Sequence, residues 1–293
     1  WRKNNEIKNF KHSNFKRKVG ENLNMTKEYK RSDGRKNNQL RPIAAKVGII
    51  PNADGSAMFA FGKTVAIAAV YGPRQLHPQH MQNPSTGILR CNYDLLSFSV
   101  YDRKKPGPSR RSNEISKVTE WALSPALDLK EFPAQVVDVQ IYILQADAGT
   151  RTAGINAASM ALAHAGLPMK DLICSVAVGK NDKHLIVDLT KEEEDYEEGE
   201  GATDFAMAKL ANHDELTLLQ MDGKIQPNIV KDALKLASEA CKEVYEAQKK
   251  ALKDIVIEIP SNLVTQQSGI SNGQFPKRRD IIKEIVHNGG EEK

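Results

Sequence analysis

The sequence predicts an α+β fold in which mixed sheets pack with helices. Short runs with the residue content of strands occupy residues 46–50, 56–61 and 64–70. A fourth run, at residues 137–144, alternates with the period of two that marks a strand, and it leads through a glycine turn into helix-forming residues 153–165. Separate groups of strands and helices in this order favour the α+β class over an all-α or all-β fold.

The other elements can be placed from local patterns. The second and third runs, joined by Gly62-Lys63, predict a hairpin, and residues 92–100 predict a further strand. Ser112 or Asn113 can cap the helix that follows. Apolar side chains recur along that helix at helical spacing, at Ile115, Val118, Trp121 and Ala122.

The C-terminal half predicts three more strands and a long helix. The strands are expected at residues 172–178, 184–189 and 215–221. Pro227 opens an amphipathic helix that is expected to end near Leu252, with one apolar face turned to the core.

Composition bounds the class of protein. Of the 293 residues, 40% are hydrophobic and 27% are charged, which is typical of a soluble globular protein. The apolar runs are too short to cross a bilayer, so we expect a cytoplasmic protein without a membrane partner. The three cysteines are widely spaced and form no CxxC pair, which disfavours a disulfide framework or a zinc site. Each is expected to be a small buried hydrophobe.

The positive charge is concentrated at one end of the chain. The formal net charge is +5, yet residues 1–36 alone carry +8, which leaves the remainder at −3. We therefore expect a disordered basic leader at residues 1–30, a folded body at 31–252 and a flexible tail at 253–293. Residues 1–24 precede a plausible start at Met25 and are interpreted as an upstream extension.

The turn after the strand at 137–144 has the composition of an anion-binding site. Gly149, Thr150, Arg151 and Thr152 stand where the helix begins. The first N–H groups of a helix lack partners and carry partial positive charge, and an arginine adds a planar fork of donors that matches phosphate. An ordinary cap at Thr150 or Thr152 with a surface arginine is an equally good interpretation of the turn alone.

Two charged stretches could complete such a site. Five cations fall within residues 103–111, which include Arg110 and Arg111 at the start of a helix. Seven carboxylates fall within residues 192–200, shortly after Asp188 at the end of a predicted strand. Charge runs are usually solvated loops. A carboxylate at a strand end with another one close behind can, however, hold a hard divalent cation such as Mg²⁺ or Mn²⁺.

Five ordered motifs resemble the ribonuclease PH family, and most closely the catalytic ribonuclease PH-like subunits of archaeal exosomes. The resemblance covers residues 30–252. The motifs are Arg-Ser-Asp-Gly-Arg at 31–35, Tyr-Gly-Pro-Arg at 71–74, Pro-Ser-Arg-Arg at 108–111, Leu-Gln-Ala-Asp-Ala-Gly-Thr-Arg-Thr at 144–152 and Ala-Gly-Leu-Pro-Met-Lys-Asp-Leu at 165–172.

The resemblance implies a fold, an activity and roles for the basic residues. The fold is the ribonuclease PH fold, which is like domain 2 of ribosomal protein S5. The activity is phosphate-dependent 3′-to-5′ degradation of RNA to nucleoside diphosphates, which also runs in reverse to add 3′ tails. Residues 149–152, with Arg151, would bind inorganic phosphate as the co-substrate. Arg110 and Arg111 would hold the last phosphates of a single-stranded RNA 3′ end, and Arg74 would lie where RNA threads a central channel.

The resemblance also implies a pair of catalytic, metal-binding carboxylates. Asp188 would be the first. The family spacing puts the second at Glu194, whereas the Glu-Asp pair that marks it ends at Asp195, which we favour. Asp204 is a possible third ligand. No aromatic platform is evident near Arg110, so we expect a grip on the RNA backbone with little base reading.

The implied partners are those of a hexameric ring. They are an inactive ribonuclease PH-like paralogue, which forms a trimer of heterodimers with this chain, and RNA-binding cap subunits. Three alternatives stay open at this point. The chain could be a bacterial-type, tRNA-trimming ribonuclease PH, a non-catalytic ring subunit that only binds RNA, or a nucleic-acid-binding module that uses its basic leader.

Overall fold

A computed structural model describes residues 31–181, 184–195, 202–213, 215–223 and 225–257. Over these residues the chain forms two sheets, four α-helices and three short 3-10 helices. The strands are β1 (Ile43–Val47), β2 (Gly55–Phe61), β3 (Thr64–Gln75), β4 (Ile88–Leu95), β5 (Gln135–Gln145), β6 (Ile173–Asn181), β7 (His184–Val187), β8 (Ala202–Leu210) and β9 (Leu216–Asp222). The helices are α1 (Arg110–Leu123), α2 (Thr150–His164), α3 (Lys191–Glu194) and α4 (Pro227–Ile257).

The first sheet has the strand order β1-β2-β3-β5-β4. All its neighbours are antiparallel except β4 and β5, which run parallel, so the sheet is mixed. Alternation decides its two faces. On β5, Val137, Val139, Ile141 and Ile143 share one buried face, whereas Gln140 and Tyr142 reach the other face.

The second sheet is antiparallel, with the order β7-β6-β8-β9. Every residue of β6 is buried, as expected for a strand that is covered on both faces. β9 lies at one edge and is largely exposed. β7 lies at the other edge and delivers the chain to Asp188.

Helix α2 joins the two sheets. It packs against β2, β3 and β5 of the first sheet and against β6 of the second. Its residues 152–162 are all buried, and the polar ones among them find partners: the amide of Asn156 exchanges two hydrogen bonds of 2.8 Å with the backbone of Ser175 on β6. α1 packs against β4 and β9, and α4 packs against β6 and β1. α2 is therefore the centre of the core.

The predicted fold class is confirmed, and several boundaries are corrected. The first strand is Ile43–Val47 and not 46–50, because Gly48 turns the chain with a φ of +75°. The strand expected at 92–100 is Ile88–Leu95. The helix expected after Ser112 or Asn113 begins at Arg110 and is capped by Ser109. Trp121 belongs to that helix, as its spacing predicts, and its side chain is 61% exposed.

The structure tests only part of what the sequence predicts for the two ends of the chain. α4 continues to Ile257, beyond the expected end at Leu252. The predicted leader at 1–30, and the predicted tail from residue 258 onwards, lie outside the described residues. The three cysteines are buried free thiols, as predicted. Among the helices that the structure describes, none is long and apolar enough to cross a membrane.

Candidate active site

The turn between β5 and α2 presents unpaired backbone donors. Ala148 and Gly149 both adopt the left-handed conformation, with φ of 53° and 61°. Gly149 is the N-cap, and no side chain caps the helix. The alternative of an ordinary threonine cap is not realised, since the hydroxyl of Thr152 donates to the carbonyl of Gly149 at 2.9 Å. Within the described part of the chain, the N-cap thus supplies no side-chain acceptor to the first N–H groups of α2, as an anion site requires.

Thr64, the first residue of β3, fixes this turn from beneath. Its hydroxyl oxygen accepts from the N–H of Asp147 at 3.0 Å and lies 2.7 Å from the carbonyl oxygen of Ala148, to which it can donate. A guanidinium nitrogen of Arg41 also donates to the carbonyl of Asp147. A left-handed alanine is unfavourable by itself and persists where its surroundings determine it, which these bonds do.

Asp188 supports the same turn and lines neither of the cavities at the site. It is 2% exposed, with a φ of +55°. Its Oδ2 accepts from the backbone N–H and the Nε of Arg41, both at 2.8 Å, and its Oδ1 accepts from Nη2 of Arg41 at 2.6 Å. A β-carbon added to Gly149 would lie 3.8 Å from Oδ1. Both oxygens of Asp188 thus accept hydrogen bonds from Arg41, and its role as a catalytic metal ligand stays a prediction.

A second buried arginine holds the segment that follows Asp188. Arg31 donates to both carboxylate oxygens of Glu193 at 2.8 Å and to the carbonyl of Val187 at 2.9 Å. Glu193 in turn accepts from the N–H of Thr190 at 2.9 Å, which completes a capping box on the short helix α3. Arg31 thereby connects the start of the folded body to the acidic segment 191–195.

Helix α1 brings a second set of cations. Ser109 and Ser112 form a reciprocal capping box, in which the hydroxyl of Ser109 accepts from the N–H of Ser112 at 3.1 Å. Arg110 and Arg111 are the first two residues of the helix, and no acidic residue lies in its first turn. The N-terminus of α1 therefore carries positive charge from these two side chains and partial positive charge from the helix dipole.

These elements surround two adjoining cavities. The larger has a volume of about 860 Å³ and the smaller one of about 490 Å³. The smaller contains the turn at residues 149–152. Both are bordered by Arg111, Arg151, Glu194 and Asp204. The larger adds the charged side chains of Arg110, Glu114, Asp195 and Asp222.

Arg151 carries an unused donor between the cavities. Its Nε is buried and has no hydrogen-bond partner among the residues that the structure describes. A buried donor without a partner is costly, so the site is built for an acceptor that arrives from outside. An anion bound at the N-terminus of α2 would supply that acceptor.

The carboxylates oppose these cations. Burial raises the pKa of Asp204 above its ordinary value; Arg151 acts in the opposite sense, while Glu194 and Asp222 raise the pKa further by repulsion. Asp195 is paired with Lys191 at 2.6 Å. A group of carboxylates that repel one another in this way is a setting in which a divalent cation is stabilising.

The structure brings together most of the residues that the sequence singled out. Residues 149–152, Arg110, Arg111, Glu194, Asp195 and Asp204 all line one or both cavities. Arg74 does not, because it is paired with Asp138 in the first sheet. Arg31, Arg41 and Asp222 were missed as contributors. Arg31 stands in the Arg-Ser-Asp-Gly-Arg motif, which could have drawn attention to it, whereas Arg41 and Asp222 carry no comparable local signal.

Comparison with known proteins gives a consistent picture. Residues 39–168 match domain 1, and residues 171–240 match domain 2, of the 3′ exoribonuclease (RNase PH) family. The "Exosome complex component Rrp41" of Thermococcus kodakarensis is 52% identical over 230 residues, which cover 78% of this chain and 91% of that protein. The protein of the same description from Pyrococcus abyssi is 51% identical with the same coverage.

Two solved structures resemble the chain in fold. Rice Rrp46 has a TM-score of 0.68 at 22% identity, which covers 76% of this chain and all of that one. A chain of the Archaeoglobus fulgidus exosome, solved with RNA bound to the active site, has a TM-score of 0.63 at 22% identity and covers 74% and 91% of the two chains. Together with the family match, they confirm the predicted ribonuclease PH fold.

Proposed function

The chain belongs to the 3′ exoribonuclease (RNase PH) family, and on that premise we propose that it is the catalytic, phosphate-dependent subunit of an archaeal-type exosome ring. The observation that carries the proposal is the buried, unpartnered Nε of Arg151, which lies beside the uncapped N-terminus of α2 and between the two cavities. A site of this kind takes an anion, and a phosphorolytic enzyme must hold two anions side by side.

Each of the two cavities binds one of the two substrates. Inorganic phosphate binds in the smaller one, on the backbone of residues 149–152, and the RNA 3′ end lies in the larger one, with its last phosphates on Arg110 and Arg111. Arg151 borders both, so its charge offsets the repulsion between the attacking and the scissile phosphate. An oxygen of hydrogen phosphate attacks the last phosphodiester phosphorus and the bond to the 3′ oxygen breaks. The products are a nucleoside 5′-diphosphate and an RNA shortened by one nucleotide, whose 3′ oxygen takes up the proton.

The carboxylates of the larger cavity fit a magnesium ion with few protein ligands. Among the residues described, no three His, Cys, Asp or Glu side chains are grouped as a ready-made metal cage. Mg²⁺ commonly uses only one or two carboxylates, with water and substrate phosphate completing its shell. We assign Asp195 and Asp204 to this role, with Glu194 as the alternative. When bound, Mg²⁺ or Mn²⁺ would withdraw charge from the phosphate oxygens. Asp188 acts indirectly, by holding Arg41 beneath the turn.

The proposed partners follow from the relatives. The proteins from Thermococcus and Pyrococcus are described as exosome components, and the Archaeoglobus exosome structure holds RNA at its active site. We propose that this chain acts on single-stranded RNA 3′ ends, in a ring that it forms with an inactive paralogue and that RNA-binding subunits cap.

The decisive experiment measures the products made from a labelled single-stranded RNA by the chain alone and with its paralogue, with and without inorganic phosphate. We expect phosphate-dependent release of nucleoside diphosphates, and 3′ extension when nucleoside diphosphates replace phosphate. Arg151→Gln should lower kcat/KM for phosphate by about 10- to 100-fold, because a charge-assisted bond is lost.

A matched variant removes one exposed charge elsewhere. Lys130→Gln lies on an exposed turn outside both cavities and should leave the rate unchanged. Phosphate-independent release of nucleoside monophosphates would refute phosphorolysis. RNA binding without turnover in every mixture would favour the non-catalytic ring subunit.

A further inference from the structure

The short helix α3 belongs to a run of four consecutive carboxylates, at residues 192–195. The structure points them in different directions. Glu193 is 3% exposed, Glu194 lines both cavities, Asp195 lines the larger one, and Glu192 is exposed outside both. Neighbouring residues of a helix point about 100° apart, because a turn contains 3.6 residues. The rotation of α3 about its own axis therefore decides which carboxylates reach the cavities.

Helix α3 cannot set this rotation by itself. It comprises only Lys191–Glu194, and the backbone bonds from the N–H groups of Glu194 and Asp195, at 2.9 and 3.0 Å, close a single turn. An isolated helix of this length is unstable in water, because its first turn costs more conformational entropy than its few hydrogen bonds offset. Its orientation must therefore come from contacts with the rest of the fold.

Arg31 supplies such a contact. Its Nε and Nη2 donate to the two carboxylate oxygens of Glu193, both at 2.8 Å. This two-bond geometry fixes the direction of a carboxylate as well as its distance. Water does not compete for the pair, because the side chains of Arg31 and Glu193 are 0% and 3% exposed. The ion pair thus determines which way Glu193 points and, with it, the rotation of α3.

Arg31 is itself fixed by the backbone of the second sheet. Its Nη1 donates to the carbonyl of Val187 at 2.9 Å, and its Nη2 also donates to the carbonyl of Asp188 at 2.8 Å. Both carbonyls lie where β7 ends. The guanidinium is therefore held independently of α3, so that it provides a fixed reference for Glu193.

The neighbouring carboxylates make this contact decisive. Glu192 and Glu194 carry the same functional group as Glu193, so either could accept from Arg31 in a helix turned by one residue. Such a turn would rotate the cavity-lining carboxylates by about 100°, away from the cavities. The N–H of Thr190, which donates to Oε2 of Glu193 at 2.9 Å, favours the observed arrangement, because a glutamate three residues after the N-cap can reach back to it.

We propose that Arg31 is a positioning residue that acts through Glu193 to present Glu194 and Asp195 to a divalent cation at the larger cavity. The inference rests on the proposed function and adds to it the contact that arranges the metal-binding carboxylates. Arg31 lines neither cavity, so it acts on the cation only through the orientation of α3.

The turn at residues 149–152, on which we propose that phosphate binds, is held by other contacts. Thr64 and Arg41 bind the backbone of residues 147–148, which lead into that turn. A change at Glu193 leaves these bonds in place. It should therefore weaken cation binding and leave phosphate binding unchanged, whereas a general loss of structure would weaken both.

The test is Glu193→Gln in the assembled complex, with Glu192→Gln as the matched control. Both variants remove one negative charge from α3. Only Glu193→Gln loses the two-bond pair with Arg31, because an amide has one acceptor oxygen and directs its NH2 group at the other donor.

Mn²⁺ binding is measured by electron paramagnetic resonance, with inorganic phosphate present and without RNA. Glu193→Gln should raise the Kd for Mn²⁺ about tenfold, as changes to the groups that orient metal ligands do. Glu192→Gln should raise it less than about twofold, because solvent and salt screen an exposed charge. KM for phosphate, measured at saturating Mn²⁺, should not change in either variant.

Hydrogen exchange gives a readout that needs no ligand. The backbone N–H groups of Glu194 and Asp195 should exchange faster in Glu193→Gln than in wild type or Glu192→Gln. Adding Arg31→Gln to Glu193→Gln should weaken Mn²⁺ binding no further, since both changes break the same contact. If this double variant does not fold, Glu193→Gln alone still decides the question.

Three outcomes would overturn the inference. Equal rises in the Kd for Mn²⁺ in Glu192→Gln and Glu193→Gln would show an effect of charge and not of position. Lower stability of Glu193→Gln with unchanged Mn²⁺ affinity would make the contact purely structural. A wild-type complex that binds no Mn²⁺ would show that these carboxylates hold no cation. Absence of phosphate-dependent turnover for every RNA would count instead against the proposed function, and the binding and exchange measurements, which use no RNA, would still test Arg31.

Discussion

Arg41 and Asp188 form a buried, three-bond ion pair directly beneath the turn that starts α2. The carboxylate accepts from the backbone N–H, Nε and Nη2 of Arg41 at 2.8, 2.8 and 2.6 Å. The remaining guanidinium nitrogen of Arg41 donates to the carbonyl of Asp147 in that turn. The buried carboxylate of Asp188 therefore shapes the turn on which we propose that phosphate binds, while Glu194, Asp195 and Asp204 line the cavities.

Asp188→Asn should lower stability strongly. The amide keeps the shape and tolerates the left-handed backbone, but it leaves the buried charge of Arg41 unpaired. We expect the free energy of unfolding to fall by about 3 kcal/mol, measured by urea denaturation.

Asp195→Asn provides the contrast. Asp195 pairs with Lys191 where both side chains are more than half exposed, so its loss should cost less than about 1 kcal/mol while activity falls. Equal stability losses in the two variants would contradict the different roles assigned to these carboxylates.

Gly149→Ala should impair phosphate binding beyond its effect on stability. The left-handed φ of 61° disfavours any β-carbon, and this one would lie 3.3 Å from Nη2 of Arg41. Gly166, beyond the other end of α2, has a φ of +76° and open space around it. Gly166→Ala is therefore a control with a backbone cost similar to that of Gly149→Ala. Each should lose about 1–2 kcal/mol of stability. Only Gly149→Ala should raise KM for phosphate, and a similar rise in Gly166→Ala would remove the argument for a specific turn.

Asp204 should make the protein less stable as the pH rises. Its pKa is raised by burial first, so the folded protein holds this proton more tightly than the unfolded chain does. Between the ordinary value of 3.8 and the raised pKa, wild-type stability therefore falls with increasing pH. Asp204→Asn lacks this titration and should gain stability relative to wild type over that interval, while losing activity.

Urea unfolding from about pH 3.5 to about pH 7 measures the difference in free energy of unfolding between Asp204→Asn and wild type. For Asp138→Asn, the pH dependence of the difference in free energy of unfolding from wild type should have the opposite sign. The pKa of Asp138 is lowered in the folded state, so its contribution is present above its ordinary value and is lost as the pH falls. Parallel curves for Asp204→Asn and wild type would rule out the raised pKa.

Inorganic phosphate should stabilise the folded protein in the absence of RNA. A ligand that binds only the folded state adds about 2.7 kcal/mol at 100 times its Kd. Arg151→Gln should abolish most of this gain, because it removes the unpartnered buried donor. Arg74→Gln, outside both cavities, should retain it. A phosphate-induced rise in Tm that survives Arg151→Gln would place the anion elsewhere.

Local patterns predicted the elements that depend on neighbours in sequence. Alternation located β5 and its two faces, and the glycine turn followed by helix formers located α2. The predicted boundaries were wrong where one or two residues decided them. Gly48 ends β1, and the capping box of Ser109 and Ser112 starts α1 earlier than expected. Periodicity placed Trp121 on α1 but did not indicate its exposure, because it identifies a stripe on a helix and not what covers that stripe.

The sequence by itself determined the α+β class, the family motifs and the convergence of Arg110, Arg111 and Arg151 with an acidic segment, because each motif is contiguous and its chemistry is local. Only the tertiary structure decided which carboxylates face the cavities. Asp188 stands 147 residues from Arg41, yet the pairing of β7 and β6 brings it against that side chain. Asp138 likewise joins Arg74 and Arg90 only because β5 lies between β3 and β4. A carboxylate has the same local signature whether a metal or an arginine occupies it, and long-range packing alone selects the partner.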